Sequence, residues 1–177
     1  MNQKNPVTVE TADRILILTR IFDAPKNLIF KLWTTPEHVA RWWGPNGFTN
    51  PVCEIDLRPG GNYYYVMRSP EGIDYPIRGT FLEVIPDEKI VYTETLDEHP
   101  KEWLESMRNE IGTGEEFASN SVITVTFEKE PVDRTKIKIH TLFRTNEIKG
   151  AFLKMGMIEG WSESLDRFDA EVKRTKV

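Results

Sequence analysis

The amino-acid sequence predicts an α+β fold, in which a curved antiparallel sheet of six to seven strands wraps around a long C-terminal helix. Short runs of alternating apolar and polar residues, separated by proline and glycine turns, fill the middle of the chain. A long segment with a single apolar stripe follows them. Because an amphipathic helix must bury its apolar stripe, we expect this helix to pack against one face of the sheet.

The composition is typical of a globular protein and argues against several other classes. The chain has 177 residues, of which 39% are hydrophobic and 29% charged. No run approaches the ~18 apolar residues of a membrane helix, and the N-terminus lacks the apolar stretch of a secretory signal. A pI near 5.3 without a basic cluster argues against a nucleic-acid partner. We therefore expect a cytoplasmic protein that neither binds nucleic acid nor inserts into a membrane.

Cysteine and histidine usage predicts no metal site and no cofactor. The single cysteine, Cys53, cannot form an internal disulfide or a cysteine zinc cluster. The three histidines lie far apart and show no metal-ligand spacing. The sequence also shows no pairing of a base with a nucleophile, so it suggests no catalytic residue and favours a binding protein over an enzyme.

One domain is predicted over residues 14–177, preceded by a flexible polar arm over residues 1–13. Residues 14–22 are mostly β-branched or aromatic, which is typical of a strand. Apolar residues at helical spacing predict a short helix over residues 26–35, with Asp23 as its N-terminal cap.

A second short helix and the rest of the sheet are predicted to follow. Pro36 interrupts the first helical pattern and begins the second helix, which ends at Trp42. The remaining strands are predicted over residues 48–58, 62–69, 75–85, 89–96, 121–129 and 135–144. Strict alternation in the last two predicts one buried and one solvated face. Their expected buried positions are Ile123, Val125, Phe127, Ile137, Ile139, Thr141 and Phe143.

The last segment is predicted to be one helix that begins near Asn146 and ends near Arg174. Its apolar residues recur at steps of three and four, which places them on one side of a helix. This stripe consists of Ile158, Trp161, Leu165, Phe168 and Val172. The same helix contains Gly156 and Gly160, which we interpret either as sites of close packing or as room for a ligand.

The acidity of the chain is local. Between Asp97 and Phe117, seven acidic and two basic residues account for the net charge of −5. Residues 97–120 are therefore predicted to be an acidic segment inserted between strands. Within them, residues 100–110 have the pattern of a short helix with an apolar side that includes Trp103. We interpret this segment in one of three ways: as a surface excursion, as a flap over a cavity or as a docking element for a partner.

Four short motifs resemble one known family. They lie at residues 24–45, which include Arg-Trp-Trp-Gly-Pro, at residues 56–61, at residues 79–86 and at residues 160–167. In this order they resemble the activator of heat-shock protein 90 ATPase homologue-like family, within the START-like, birch-pollen-allergen-like superfamily. The resemblance covers residues 14–172. It implies a helix-grip fold, often with a ligand cavity between sheet and helix.

The resemblance implies several functions rather than one. Members of the wider superfamily bind lipids, hormones or polyketides, and a few catalyse cyclisation or hydrolysis. The co-chaperones that give the family its name carry a further N-terminal domain, to which residues 1–13 do not correspond. We therefore expect a protein that binds a small apolar or amphipathic ligand. The alternatives are a regulator of a heat-shock protein 90 type ATPase and a cyclase-like or hydrolase-like enzyme.

Large side chains on the predicted inner surfaces are the candidate cavity residues, whether the cavity is hollow or filled. They are Trp43, Phe48, Tyr65, Met67, Phe81, Tyr92, Trp103, Phe152, Met155 and Trp161. Asp56 and Arg58 either contribute polar groups to the cavity or brace the turn at residues 59–61. An exposed sheet edge would allow a homodimer as well as a monomer.

Overall fold

The computed structural model describes residues 5–112 and 121–176. These residues form eight strands and five helices. In chain order they are β1 (Thr8–Ala12), β2 (Ile15–Phe22), α1 (Lys26–Thr34), α2 (Pro36–Trp42), β3 (Thr49–Ile55), β4 (Asn62–Arg68), β5 (Asp74–Ile85), β6 (Lys89–Glu94), α3 (Lys101–Ile111), β7 (Ser121–Glu130), β8 (Arg134–Leu142), α4 (Asn146–Lys154) and α5 (Met157–Thr175). Among the helices of these residues, none is both long and apolar enough to cross a membrane.

The strands form one antiparallel sheet in the order β1-β2-β8-β7-β6-β5-β4-β3, and α5 packs on its concave face. This architecture confirms the predicted α+β fold with a curved sheet and a long C-terminal helix. The alternation of β7 and β8 is also confirmed, since Ile123, Val125, Ile137 and Ile139 are all buried. The two short helices follow the first long strand, β2, as predicted.

The N-terminal residues differ from the prediction of a flexible arm, which is wrong for Thr8–Ala12. These residues form β1, which pairs with β2 from Thr8 opposite Thr19 to Ala12 opposite Ile15. All five side chains of β1 are exposed, so the strand has no apolar alternation that could have revealed it. Backbone pairing along the otherwise open edge of β2 holds it in place.

The predicted C-terminal helix is divided into two. Gly156 lies in the left-handed region with φ of +86° and ends the helical path between α4 and α5. The cap also differs by one residue, because the Thr145 hydroxyl oxygen accepts a hydrogen bond from the Ile148 backbone N–H at 3.2 Å. The apolar stripe itself is confirmed in α5, where Leu165 and Phe168 are buried.

Both short helices are present, but the N-terminal cap of α1 differs from the predicted one. The N-cap of α1 is Pro25, and no side chain caps this helix, so the prediction of Asp23 as the cap is wrong. The indole N–H of Trp42 donates to the Leu32 carbonyl at 3.0 Å and ties α2 to α1. Pro36 occupies the first turn of α2, as predicted.

Part of the acidic segment contributes to the core. Met107 of α3 is fully buried and Ile111 is nearly so, while an ion pair of 2.8 Å joins Glu110 to Lys154 of α4. Helix α3 is therefore packed against the domain and is more than a surface excursion. The remainder of the segment, residues 113–120, lies outside the described residues.

Candidate functional site

An open apolar pocket of about 170 Å³ lies between α5 and the strands β4, β5 and β6. Its walls are formed by Trp43 at the end of α2, Met67 of β4, Ile77 of β5, Phe152 of α4 and Trp161 of α5. The indole rings of Trp43 and Trp161 meet edge to face, with centroids 5.3 Å apart. The pocket is therefore lined largely by apolar and aromatic side chains, which is the usual character of a small-molecule site.

Two glycines keep space open between α5 and the loop after α2. Gly44 has φ of +92°, and a Cβ atom built there would lie 2.9 Å from the Met67 sulfur. Gly160 of α5 faces Pro45 of the loop, and its Cβ would lie 3.9 Å from the Pro45 ring. Both glycines line the pocket, so a larger side chain at either position would enter its wall.

Arg167 of α5 holds the same loop from behind. Its Nη1 atom donates to the carbonyl oxygens of Trp43 at 3.2 Å, Gly44 at 2.9 Å and Pro45 at 2.8 Å, and its Nη2 atom donates to that of Arg41 at 3.0 Å. Burial lowers the pKa of this guanidinium, which remains charged at neutral pH. The fork geometry of arginine fixes the pocket wall to α5.

Glu94 is the acidic residue of the pocket lining. It follows Ile90 and Tyr92 on the inward face of β6, where both are buried. Its carboxyl group has no hydrogen bond or ion pair with the residues that the structure describes. Glu94 is half-buried, and its partial removal from water raises the pKa of the carboxyl group to about 7, with no cation of the described residues beside it to offset this effect.

His99 and Ser164 add two polar groups, both neutral. The Nδ1–H of His99 donates to the Pro76 carbonyl at 2.9 Å, because a carbonyl oxygen can only accept. Burial lowers the pKa of His99 to about 4, so the ring is neutral at physiological pH and its Nε2 atom is an acceptor. The Ser164 hydroxyl donates to the Gly160 carbonyl at 2.9 Å.

This set of groups is suited to binding and to proton transfer more than to nucleophilic attack. A carboxyl group with a pKa of about 7 can give or take a proton near neutral pH. The hydroxyl of Ser164 is hydrogen-bonded to the backbone of its own helix and has no base beside it among the described residues. The thiol of Cys53 lies outside the lining, and burial raises its pKa to about 12.

The sequence-predicted cavity residues fall into three places. Trp43, Met67, Phe152 and Trp161 line the pocket. Deeper in the core, a void of only about 10 Å³ is lined by residues that include Trp43, Tyr65, Phe81 and Tyr92. That volume is about the minimum for one water molecule, so this part of the predicted cavity is filled.

The other predicted residues lie outside both linings. The ring of Phe48 packs on Tyr75 with centroids 5.9 Å apart, and the Trp103 ring lies 4.5 Å from that of His99. Met155 is the C-cap of α4 and packs against the core.

Asp56 and Arg58 are both exposed and form an ion pair of 2.9 Å beside the turn at residues 59–61. Of the two interpretations of this pair, the structure contradicts the polar cavity, because the side chains project to the solvent side of the chain. Both residues follow the end of β3 at Ile55, where the Arg58 backbone N–H donates to the Asp56 carbonyl at 2.9 Å as the chain turns.

Sequence reasoning missed Glu94 and His99, the two titratable groups of the pocket. The sequence contains a signal for Glu94, because alternate residues of a strand lie on the same face. That face carries Ile90, Tyr92, Glu94 and Leu96. The opposite face carries the apolar Val91, so the sequence did not show which face of this strand points inward. No sequence pattern marks His99, whose position depends on the connection between β6 and α3.

Comparisons with known proteins agree with this architecture. The chain is similar to a protein of Nitrosomonas europaea with 25% identity and a TM-score of 0.76, covering 94% of this chain and 99% of that chain. A protein of Mycobacterium smegmatis gives 24% identity and a TM-score of 0.76, covering 93% and 96%. A protein of Rhodobacter sphaeroides gives 15% identity and a TM-score of 0.77, covering 95% and 98%. The similarity to the proteins of Mycobacterium smegmatis and Rhodobacter sphaeroides shows only that the fold is shared.

Family membership follows from a direct sequence comparison. The comparison with curated proteins gives no match. The sequence profile of the activator of Hsp90 ATPase homolog 1-like proteins matches residues 23–173, which include the helices α1 to α4, every strand from β3 to β8 and all but the last two residues of α5. This chain therefore belongs to the family of activator of Hsp90 ATPase homolog 1-like proteins.

Proposed function

We propose that this chain binds a small, largely apolar molecule in the pocket between α5 and the strands β4 to β6. The observation that carries the proposal is the open aromatic pocket of about 170 Å³, whereas the neighbouring void lined by Tyr65 and Tyr92 measures only about 10 Å³. An apolar cavity of about 150 Å³ is large enough to hold benzene. The ligand therefore has a ring or short chain of about that size inside the pocket, and the open side lets a longer molecule extend into solvent.

Binding can be tested by filling the pocket from its glycine wall. In Gly160→Leu, a branched side chain would extend from α5 into the space beside Pro45. The matched control is Gly150→Leu, since Gly150 lies in α4 outside the pocket lining and has no atom within 4 Å of a built Cβ. Both substitutions replace a helical glycine, so they change helix propensity equally.

Native mass spectrometry of the purified protein and thermal shifts with single-ring and short-chain molecules are the measurements. We expect a co-purified or added small molecule to stabilise the wild type and Gly150→Leu, by about 2.7 kcal/mol at a concentration of 100 times Kd. Gly160→Leu should lose this effect while remaining folded. Equal shifts in both variants, or no shift with any molecule, would refute the proposal.

The family description favours a second candidate, a regulator of a heat-shock protein 90 type ATPase. An outer surface would carry this function, so it does not require the pocket. The test is the ATPase rate of such a chaperone at a saturating concentration of this protein. A changed rate that is the same with Gly160→Leu would support this candidate, and an unchanged rate would remove it.

A further inference from the structure

We infer that the ligand of this pocket carries a protonated nitrogen, which pairs with the Glu94 carboxylate while its ring or chain lies against Trp43 and Trp161. This inference rests on the proposed function and names the chemical class of the ligand. An aromatic pocket alone could also accept fatty acids and neutral apolar molecules, whereas this inference expects cationic amines to bind more tightly than either.

The first step is the charge of the lining. Glu94 is its one acidic residue, no lysine or arginine of the described residues lines the pocket, and His99 is neutral. Arg167 lies behind the loop, where its guanidinium donates to four backbone carbonyls. A carboxylate ligand would thus find no cation and would face a second negative charge, whereas an ammonium group would neutralise Glu94.

The second step is the balance of donors and acceptors. Glu94 presents a carboxyl group without a partner among the described residues, His99 presents Nε2 as an acceptor, and the Ser164 oxygen keeps acceptor capacity because its hydrogen is used in the helix. The neutral N–H donors of the lining side chains are the indole groups of Trp43 and Trp161. An ammonium group has up to three donors and no acceptor, so it complements the three acceptor groups, namely Glu94, His99 and Ser164.

The third step is the aromatic surface. The rings of Trp43 and Trp161 both line the pocket and contact each other at an interplanar angle of 78°. Tryptophan is the aromatic residue that attracts cations most strongly through its ring face. A carboxylate beside tryptophan rings therefore recognises the charge and the apolar body of an amine together.

The groups around the carboxyl group are consistent with this assignment. Tyr63, Tyr65 and Tyr92 are the titratable neighbours that interact with Glu94, His99 shares the pocket, and none of them is cationic at neutral pH. With a pKa of about 7, the ionised fraction of Glu94 is about 30-fold smaller at pH 5.5 than at pH 8. The affinity for an amine that is protonated at both pH values should therefore fall by a similar factor between pH 8 and pH 5.5.

The test uses three probes of nearly equal size, namely benzylamine, benzyl alcohol and benzoate, measured by isothermal titration calorimetry at pH 8. The variant is Glu94→Gln, which keeps the shape of the side chain and removes its charge. The control is Glu159→Gln, an exposed position of α5 outside the lining. Benzyl alcohol also serves as the folding control, because its binding does not need the charge.

We expect the wild type and Glu159→Gln to bind benzylamine at least ten-fold more tightly than benzyl alcohol, and benzoate most weakly. Glu94→Gln should lose at least ten-fold in affinity for benzylamine and change by less than two-fold for benzyl alcohol. If benzyl alcohol or benzoate binds as tightly as benzylamine, or if Glu94→Gln retains the preference, the inference is overturned while the binding function stands. If none of the probes binds, both proposals fail.

Discussion

At the scale of single residues, Glu94 is the most unusual feature of this protein. The inward face of β6 carries Ile90 and Tyr92, and the next position on that face is a carboxyl group without a cation beside it among the described residues. Burying such a group disfavours its charged form. A position that opposes folding at neutral pH in this way is expected where binding, rather than stability, determines the residue.

Replacing this carboxyl group should stabilise the empty protein. Between pH 4.5 and 7 the folded state binds the proton of Glu94 more tightly than the unfolded state, because the pKa rises from 4.5 to about 7. The free energy of unfolding therefore falls as the pH rises through this window, and the loss is complete above pH 7. We expect Glu94→Gln to be more stable than the wild type by about 1–3 kcal/mol at pH 8.

Urea unfolding at pH 5 and at pH 8 measures this difference. The gap between Glu94→Gln and the wild type should be smaller at pH 5, where most of the carboxyl groups are protonated in the folded state. A gap of the same size at both pH values would show that the pKa of Glu94 is not raised in the folded protein.

Gly44 offers a second test at residue scale. In Gly44→Ala the new Cβ atom would meet the Met67 sulfur at 2.9 Å, in addition to the strain of φ at +92°. The matched control is Gly72→Ala, which has φ of +84° and no atom within 4 Å of a built Cβ. Both variants should lose about 1 kcal/mol or more of stability from backbone strain.

Only Gly44→Ala should weaken ligand binding, since only its new methyl group changes the pocket wall. Thermal unfolding and a titration with benzyl alcohol measure the two effects separately. An unchanged affinity in Gly44→Ala would place the ligand away from this loop.

At the scale of secondary structure, α3 shows how the acidic segment joins the domain. The helix contains three acidic and two basic residues of this segment, and its apolar side buries Met107 and Ile111 and brings Trp103 towards α4. Glycine in the left-handed conformation at Gly112 ends the helix. The helix is thus amphipathic, and its charge belongs to the solvent-facing side.

Truncating the apolar side of α3 should destabilise the whole domain. Met107 is fully buried, so Met107→Ala should lower the free energy of unfolding by about 2–5 kcal/mol. The control is Glu102→Ala on the exposed side of α3, which should change it by less than about 0.5 kcal/mol. Urea unfolding compares the two. Nearly equal effects would mean that α3 contributes little to the core.

The sequence predicted those elements that bury only one face, and it did not predict a break that depends on a single backbone angle. Strands β7 and β8 alternate cleanly because one face is buried and the other is solvated, so their faces could be assigned from Ile123 or Ile139 alone. The division between α4 and α5 could not be predicted in this way. The apolar spacing continues across Gly156, and only the positive φ of this residue interrupts the helix. Several aromatic walls of the pocket could be predicted, whereas the inward side of β6 stayed ambiguous because Val91 faces away from Glu94, and His99 has no sequence pattern at all.

At the scale of the whole molecule, the sheet packs around α5 while its first strand makes mainly backbone contacts. Strand β1 pairs with β2 along five residues and exposes all of its side chains. Its pairing covers the edge of β2 that would otherwise present unpaired N–H and C=O groups. The strand therefore protects an edge and adds little to the core.

Removing residues 1–12 should leave the fold intact and lower the free energy of unfolding by about 1–3 kcal/mol, the net value of a few backbone hydrogen bonds. The shortened protein should also self-associate more readily, because the edge of β2 is then open. Urea unfolding and size-exclusion chromatography at several concentrations measure the two effects. Complete loss of folding would show that β1 belongs to the core after all.

The central claim is that the pocket beside α5 receives a small apolar molecule. The most direct measurement is an NMR titration with toluene that follows the indole N–H signals of the five tryptophans. We expect the signals of Trp43 and Trp161 to shift and saturate in the wild type and to stay unchanged in Gly160→Leu. Signals that do not move in the wild type, or that move equally in Gly160→Leu, would contradict it.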